Sequence, residues 1–353
     1  MTELMEYLTK CAQERASDIF IVPGAPVSCR RGGRLLPMES ERLGAAESEQ
    51  LLRQIYVLAA RSMDRFLQEG DDDFSFAVPG VARFRVNAYR QRGSLAAVIR
   101  VVAFHIPDWK ELGIPEQVME LADITGGMVL VTGIAGCGKS TTLACLIDRI
   151  NRQRACHIIT LEDPIEYLHR NQQSIVSQRE IAVDTSDYLT ALRACLRQAP
   201  DVIQLGEMRD LETIRTAMTA AETGHLLFAT LHTRGAVSTI DRIIDIFPAD
   251  QQDQVRIQLS AVLHTVVSQQ LVPDVNGELI PVFEVMRCNS AVRSMIRDSK
   301  SHQIDAAIAA GGSEGMISMD QSLFRAWKTG RITEKTALEY ASNREQMRRR
   351  MGS

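Results

Sequence analysis

The chain has 353 residues, enough at roughly 100–200 per domain for two domains, each with its own core. Its 45% hydrophobic and 24% charged residues describe a globular protein, and a net charge of −4 argues against a nucleic-acid partner because no global positive field would gather phosphates. No apolar run approaches the ~20 residues of a membrane span, and the first twelve residues lack the basic-then-apolar layout of a signal peptide. The seven cysteines form no C-x-x-C pair, so reduced thiols and a cytoplasmic location are expected.

In chain order, residues 3–16 carry a short helical pattern, and Ser17-Asp18 introduces an apolar strand, Ile19 to Val22. A strand and turn follow at 27–38, with Gly32-Gly33 as the turn, and residues 45–69 read as helical on the spacing of Leu51, Leu52, Ile55, Leu58 and Ala59. The period then changes to two. Phe74 to Phe76, Ala82 to Tyr89 and Leu95 to Ala103 read as strands separated by Pro79-Gly80 and Arg92-Gly93-Ser94. This predicts an antiparallel meander with helices, a small α+β domain over 1–104. Residues 105–116, with two prolines and a glycine, read as a linker, and Pro115 suits the first turn of the next helix.

From 117 to 353 the pattern predicts an α/β domain. Met128–Thr132, His157–Leu161, Val202–Leu205 and Leu226–Leu231 are continuous apolar runs, each expected to be followed by a loop and helix, as in a parallel sheet covered on both faces. The last hundred residues read as mainly helical.

Gly133-Ile-Ala-Gly-Cys-Gly-Lys139-Ser140 matches G-x-x-x-x-G-K-[ST], with an apolar strand running in and an amphipathic helix running out. Gly133, Ala135, Gly136, Cys137 and Gly138 would wrap backbone N–H groups around phosphates, close to the positive end of a helix dipole. Lys139 would reach the β and γ phosphates of ATP, the Ser140 hydroxyl would ligate Mg²⁺, and Thr141 continues the first turn. Two apolar strands end in acids: Glu162-Asp163 after Leu161, and Glu207 after Leu205-Gly206. Carboxyl ends of strands are where an open sheet binds ligands, so both clusters are expected beside the phosphate loop, Glu207 on magnesium through water and Glu162 on the attacking water. His225 and His232 bracket Leu226–Leu231. A histidine at a strand end is more often structural, and spacing alone does not choose for either one.

These residues resemble the type IV pilus retraction ATPases, the PilT family, within the secretion-motor ATPases. The resemblance is carried by GIAGCGKSTTLA at 133–144, TLEDPIEY at 160–167, Ser177 to Glu180, and LGEMRDLETIRTAMTAAETGHLLFATLHT at 205–233. It continues in TIDRIIDIFP at 239–248, DFSFAVPGVARFRVNAYRQRG at 73–93 and the segment Ala291 to Ile296, and so covers nearly the whole chain. It implies a RecA-like P-loop domain behind a small PAS-like α+β domain, assembled as a homo-hexamer at the cytoplasmic face of the plasma membrane. Peripheral to that membrane, the ring would act on an inner-membrane pilus platform protein, with a paralogous retraction ATPase as a further partner.

Carried over residue by residue, the resemblance makes Lys139 and Ser140 phosphate and magnesium contacts. Glu162 becomes the catalytic acid, Glu207 the Walker B acid, and His225 and His232 the His box. Arginines of the N-terminal domain would complete the site, and Arg83, Arg85, Arg90 and Arg100 are the candidates. Arg83 and Arg85, two apart on a strand, share a face.

The family usually reads GPTGSGKS where this chain reads GIAGCGKS, and Phe20 stands where a His is commoner. Cys137 would thus sit at a helix N-terminus that lowers thiol pKa, an expectation of redox sensitivity. Assembly ATPases of pili or type II secretion usually carry an extra N-terminal domain and a four-cysteine zinc insertion that this sequence lacks. An accessory retraction paralogue and a nucleotide-gated scaffold are the other rivals; the intact Lys139, Glu162 and Glu207 speak against the scaffold.

Overall fold

The computed structural model describes residues 2–14, 16–102 and 106–352; Ala103, which ends the third predicted strand, and His105, which begins the predicted linker, lie outside them. The chain divides into two compact units, Met1–His105 with Ile165–Leu168, and Ile106–Pro164 with His169–Ser353.

The first unit is a six-stranded antiparallel sheet. Its strands are β1 (Asp18–Ile21), β2 (Ser28–Arg31), β3 (Arg34–Pro37), β4 (Asp71–Val78), β5 (Ala82–Gln91) and β6 (Ser94–Val102), in the order β3-β2-β1-β6-β5-β4. Two hairpins turn on residue pairs with positive φ, Gly32-Gly33 and Arg92-Gly93, the twist that matches tight two-residue connections. Alternation in β5 buries Ala82, Phe84, Val86 and Ala88 and leaves Arg83, Arg85 and Asn87 on the other face. The helices Thr2–Gln13 and Ala45–Leu58 supply Leu4, Leu8, Leu52 and Ile55 to the core.

The helical stretch over 45–69 is two helices, Ala45–Leu58 and Asp64–Glu69. Ala60 takes φ 49°, which ends the first, and Arg61 turns to Asp72 with two hydrogen bonds of 2.9 and 2.8 Å. The Tyr56 hydroxyl donates to the same buried carboxylate at 2.9 Å. A charge-assisted pair thus outcompetes one more helical turn.

The second unit is built on a seven-stranded sheet ordered β13-β12-β7-β11-β10-β8-β9. The strands are β7 (Gly127–Thr132), β8 (His157–Glu162), β9 (Ile175–Glu180), β10 (Val202–Leu205), β11 (Leu226–Leu231), β12 (Leu263–Pro273) and β13 (Leu279–Arg287). All pairs are parallel except β12 with β13. Met128 and Leu130 face one core and Val129 and Val131 another, so the strand is apolar throughout. The helix Lys139–Gln153 covers the Val129 face through Leu143, Leu146 and Ile147. The helices Leu211–Glu222, Ala236–Asp245 and Gln252–Val262 cover the Met128 face.

Two expectations need correction. His157–Glu162 is followed by another strand, β9, before any helix; its sequence IVSQRE hides it because an edge strand needs no apolar run. The last hundred residues also contain β12 and β13, a long hairpin that turns at Asp274–Gly277. No helix among the described residues is long and apolar enough to cross a membrane.

Candidate active site

The phosphate loop begins where β7 ends. Thr132 pairs with Leu231 of β11 on one side and Ser268 of β12 on the other. Gly133 has φ 141°, and a Cβ there would overlap the main-chain oxygen of Gln269 and lie 2.6 Å from the Cys137 Sγ. Gly138 has φ 90° and sits under the Gln269 side-chain nitrogen, 2.8 Å from where a Cβ would be. Gly136 has φ 77° and faces open space. The tip of the loop, Ile134 to Gly136 with Ala135 at its centre, is exposed, and its flanks Gly133 and Cys137 are buried, the curled backbone of the kind that cradles anions. Lys139 is buried, and its Nζ donates to the Gly133 and Ile134 carbonyls at 2.8 and 3.0 Å. Ser140 and Thr141 stand in the first turn of the helix Lys139–Gln153.

Cys137 corrects the expectation of an activated thiol. It is buried, and burial raises its pKa more than Lys139 and the neighbouring N–H groups lower it.

The sheet order places the other groups along the same carboxyl edge. His232 follows β11, next to the loop strand; Glu207 follows β10; Glu162 closes β8. His232 Nε2 and Glu207 Oε2 are 3.2 Å apart, and Arg209 also pairs with the Glu207 carboxylate. Glu162 is buried, and its Oε1 accepts from Thr160 Oγ1 at 2.6 Å and Gln178 Nε2 at 3.2 Å. Gly206, where an Asp is commoner, lies against Tyr188: a Cβ would sit 2.5 Å from its hydroxyl. The Tyr188 pKa is raised, first by burial and then by the negative charges of Asp163 and Glu207, with Glu162 adding to them. Asp210 instead caps the helix Leu211–Glu222 by accepting from the Thr213 N–H at 2.9 Å.

His225 is not brought to the loop. It precedes β11 at the amino end, near Gly127 and a full strand from Gly133, and its Nδ1 meets the Ala220 oxygen at 2.9 Å. The resemblance grouped it with His232 as the His box for nucleotide binding, but within the subunit its contact is a structural one, because the two ends of a parallel strand open on opposite edges.

In the first unit, Arg83, Arg85 and Arg100 share the outer sheet face. Arg85 and Arg100 are cross-strand partners, and Arg100 Nε is 3.1 Å from Asp18 Oδ1. Arg30 lies opposite Asp18 on the next strand. Arg90 falls on the other parity of β5 and does not join them.

Sequence reasoning missed Gln269, Tyr188, Thr160 and Gln178. Thr160 and Gln178 lie inside the segments TLEDPIEY and Ser177 to Glu180 but carried no role there, whereas Gln269 and Tyr188 lie outside every motif and reach the site only through the fold.

Comparison with known proteins gives a consistent neighbourhood. The family model described as type II/IV secretion system protein matches residues 1–316. A type IV pilus retraction ATPase, PilT, of Pseudomonas aeruginosa is 42% identical over 340 residues, 96% of this chain and 98% of that protein. A twitching motility protein of Neisseria gonorrhoeae is 46% identical over 284 residues, 80% of this chain and 76% of that one. The crystal structure of the pilus retraction motor PilT with bound ADP superposes with a TM-score of 0.88 at 43% identity, covering 98% of both chains.

Proposed function

The chain belongs to the type II/IV secretion system proteins, in the group of type IV pilus retraction ATPases, and from that premise we propose that it hydrolyses MgATP to withdraw pilin subunits from a type IV pilus. The observation that carries the reading is the shared carboxyl edge, along which the glycine cradle, the His232–Glu207 contact and the buried Glu162 stand side by side.

Loop N–H groups and Lys139 bind the phosphates. The Ser140 hydroxyl and the Glu207 carboxylate are hard oxygen donors of the kind Mg²⁺ takes; they would hold the ion, which would supply positive charge against the phosphates. Glu162, fixed by Thr160 and Gln178, orients water for in-line attack, and His232 senses the γ-phosphate end of the cleft while holding Glu207. Arg85, with Arg83 and Arg100, supplies positive charge from the N-terminal domain, residues 1–104, of the same or a neighbouring subunit. Six subunits form a ring at the cytoplasmic face of the plasma membrane. Each cycle moves the N-terminal domain against the motor domain, 117–353, and turns a membrane platform protein; a paralogous retraction ATPase is a second partner.

The test is the ATPase rate against protein concentration, with sizing in parallel, for wild type, Glu162→Ala and Arg85→Ala. Activity that rises with ring assembly, binds ATP but loses about 10²–10⁴-fold in rate in Glu162→Ala, and falls in Arg85→Ala supports the motor. Full turnover by a monomer would remove it.

A further inference from the structure

Strand β12 touches the site from both faces of the sheet. Neighbouring residues on a strand point opposite ways. Val267 joins the core beneath the helix Lys139–Gln153, and Val266 joins the core beneath the helix Ala236–Asp245. Gln269 and Ser268 continue those two parities at the carboxyl end, level with the phosphate loop.

Gln269 is buried, and its Oε1 accepts from the buried Thr142 Oγ1 at 2.8 Å. Its main-chain oxygen occupies the space a side chain at Gly133 would need, and its amide nitrogen lies over Gly138. One residue therefore braces both glycine hinges of the loop and the first turn of the helix behind it. On the other face, buried Ser268 Oγ accepts from the Gly235 N–H at 2.9 Å. Its cross-strand partner Glu284 accepts from the Ala236 N–H at 2.8 Å and the Met319 N–H at 3.4 Å. The bonds to Gly235 and Ala236 hold the turn that leaves His232 and opens the helix Ala236–Asp245.

We infer that Ser268 and Gln269 are positioning residues that couple the nucleotide loop on one face of the sheet to the His232 turn on the other. A shift of the loop on binding or release of phosphate is passed through two adjacent peptide units of β12, without a lever of side chains between the faces. This rests on the ATPase reading above, in which the loop binds phosphate and the His232 end reports on it.

The experiment measures MgADP binding, steady-state kcat and KM, and thermal melting for Gln269→Leu, Thr142→Val, Thr142→Ser, Ser268→Ala and the paired variants. Gln269→Leu and Thr142→Val should each weaken MgADP binding about tenfold, the scale of one buried hydrogen bond, and the pair together should be no weaker than either alone. Thr142→Ser should restore binding. Ser268→Ala should leave MgADP binding within about twofold yet lower kcat about tenfold, and its effect should change when combined with Gln269→Leu. Losses that simply multiply, or variants that only lower the melting temperature, would overturn the coupling. A wild-type protein that binds no MgADP would sink the ATPase reading itself, an outcome separable from failure of the coupling alone.

Discussion

At Cys137 two residue-scale forces compete. The helix terminus and Lys139 stabilise a thiolate, while burial disfavours it, and burial is the larger. Of the seven cysteines, Cys156 is the half-exposed one and the other six are buried. Iodoacetamide at mildly alkaline pH should therefore label Cys156 well before Cys137, with mass spectrometry as the readout; rapid labelling of Cys137 in the native protein would contradict this account. Glu284 offers a second case. Burial raises its pKa against the pull of two backbone N–H groups. Its folded form favours the proton, so stability is fullest below the ordinary glutamate value of 4.5 and declines as pH rises through the raised one. Glu284→Gln should lose less stability than wild type as pH rises above the ordinary glutamate value of 4.5, measured by denaturant midpoints.

At the scale of elements, the phosphate loop was readable because its residues are contiguous and its strand and helix flank them. Glu162 and Glu207 were readable because each ends an apolar run. What the loop leans on was hidden: β12 reads as part of a helical tail, and no local pattern ties Gln269 to Gly133. The broken helix at Ala60 was hidden for the same reason, since Asp72 lies outside its window. His225 was paired with His232 by the resemblance alone; the rule that ligands bind at the carboxyl ends of parallel strands favours His232 and leaves His225 on the opposite edge. The packing at Gly133 makes a sharp contrast with Gly136. Gly133→Ala should cost at least tenfold in nucleotide affinity, because the Cβ meets backbone on β12. Gly136→Ala meets no protein atom, so its ~1–2 kcal/mol of left-handed backbone strain should appear as a lowered melting temperature, with ADP affinity falling less than in Gly133→Ala.

For the whole molecule, the change of period near residue 104 lies beside the boundary between the two compact units, whereas the return of Ile165–Leu168 to the first unit had no sequence signal. If subunits fire in concert, Glu162→Ala protein mixed into wild type should depress the rate more steeply than its mole fraction; a linear decline would mean independent sites. The position of β7 has a further consequence for synthesis. Its hydrogen-bonding neighbours, β11 and β12, come from far later in the chain, and the residue that shapes Gly133 and Gly138 is Gln269. High sequence separation delays such pairings until the distant strands exist. A nascent chain on the ribosome carries its P-loop motif early but has no wall to mould it until β12 emerges, so nucleotide competence arrives late, when most of the motor domain is already made.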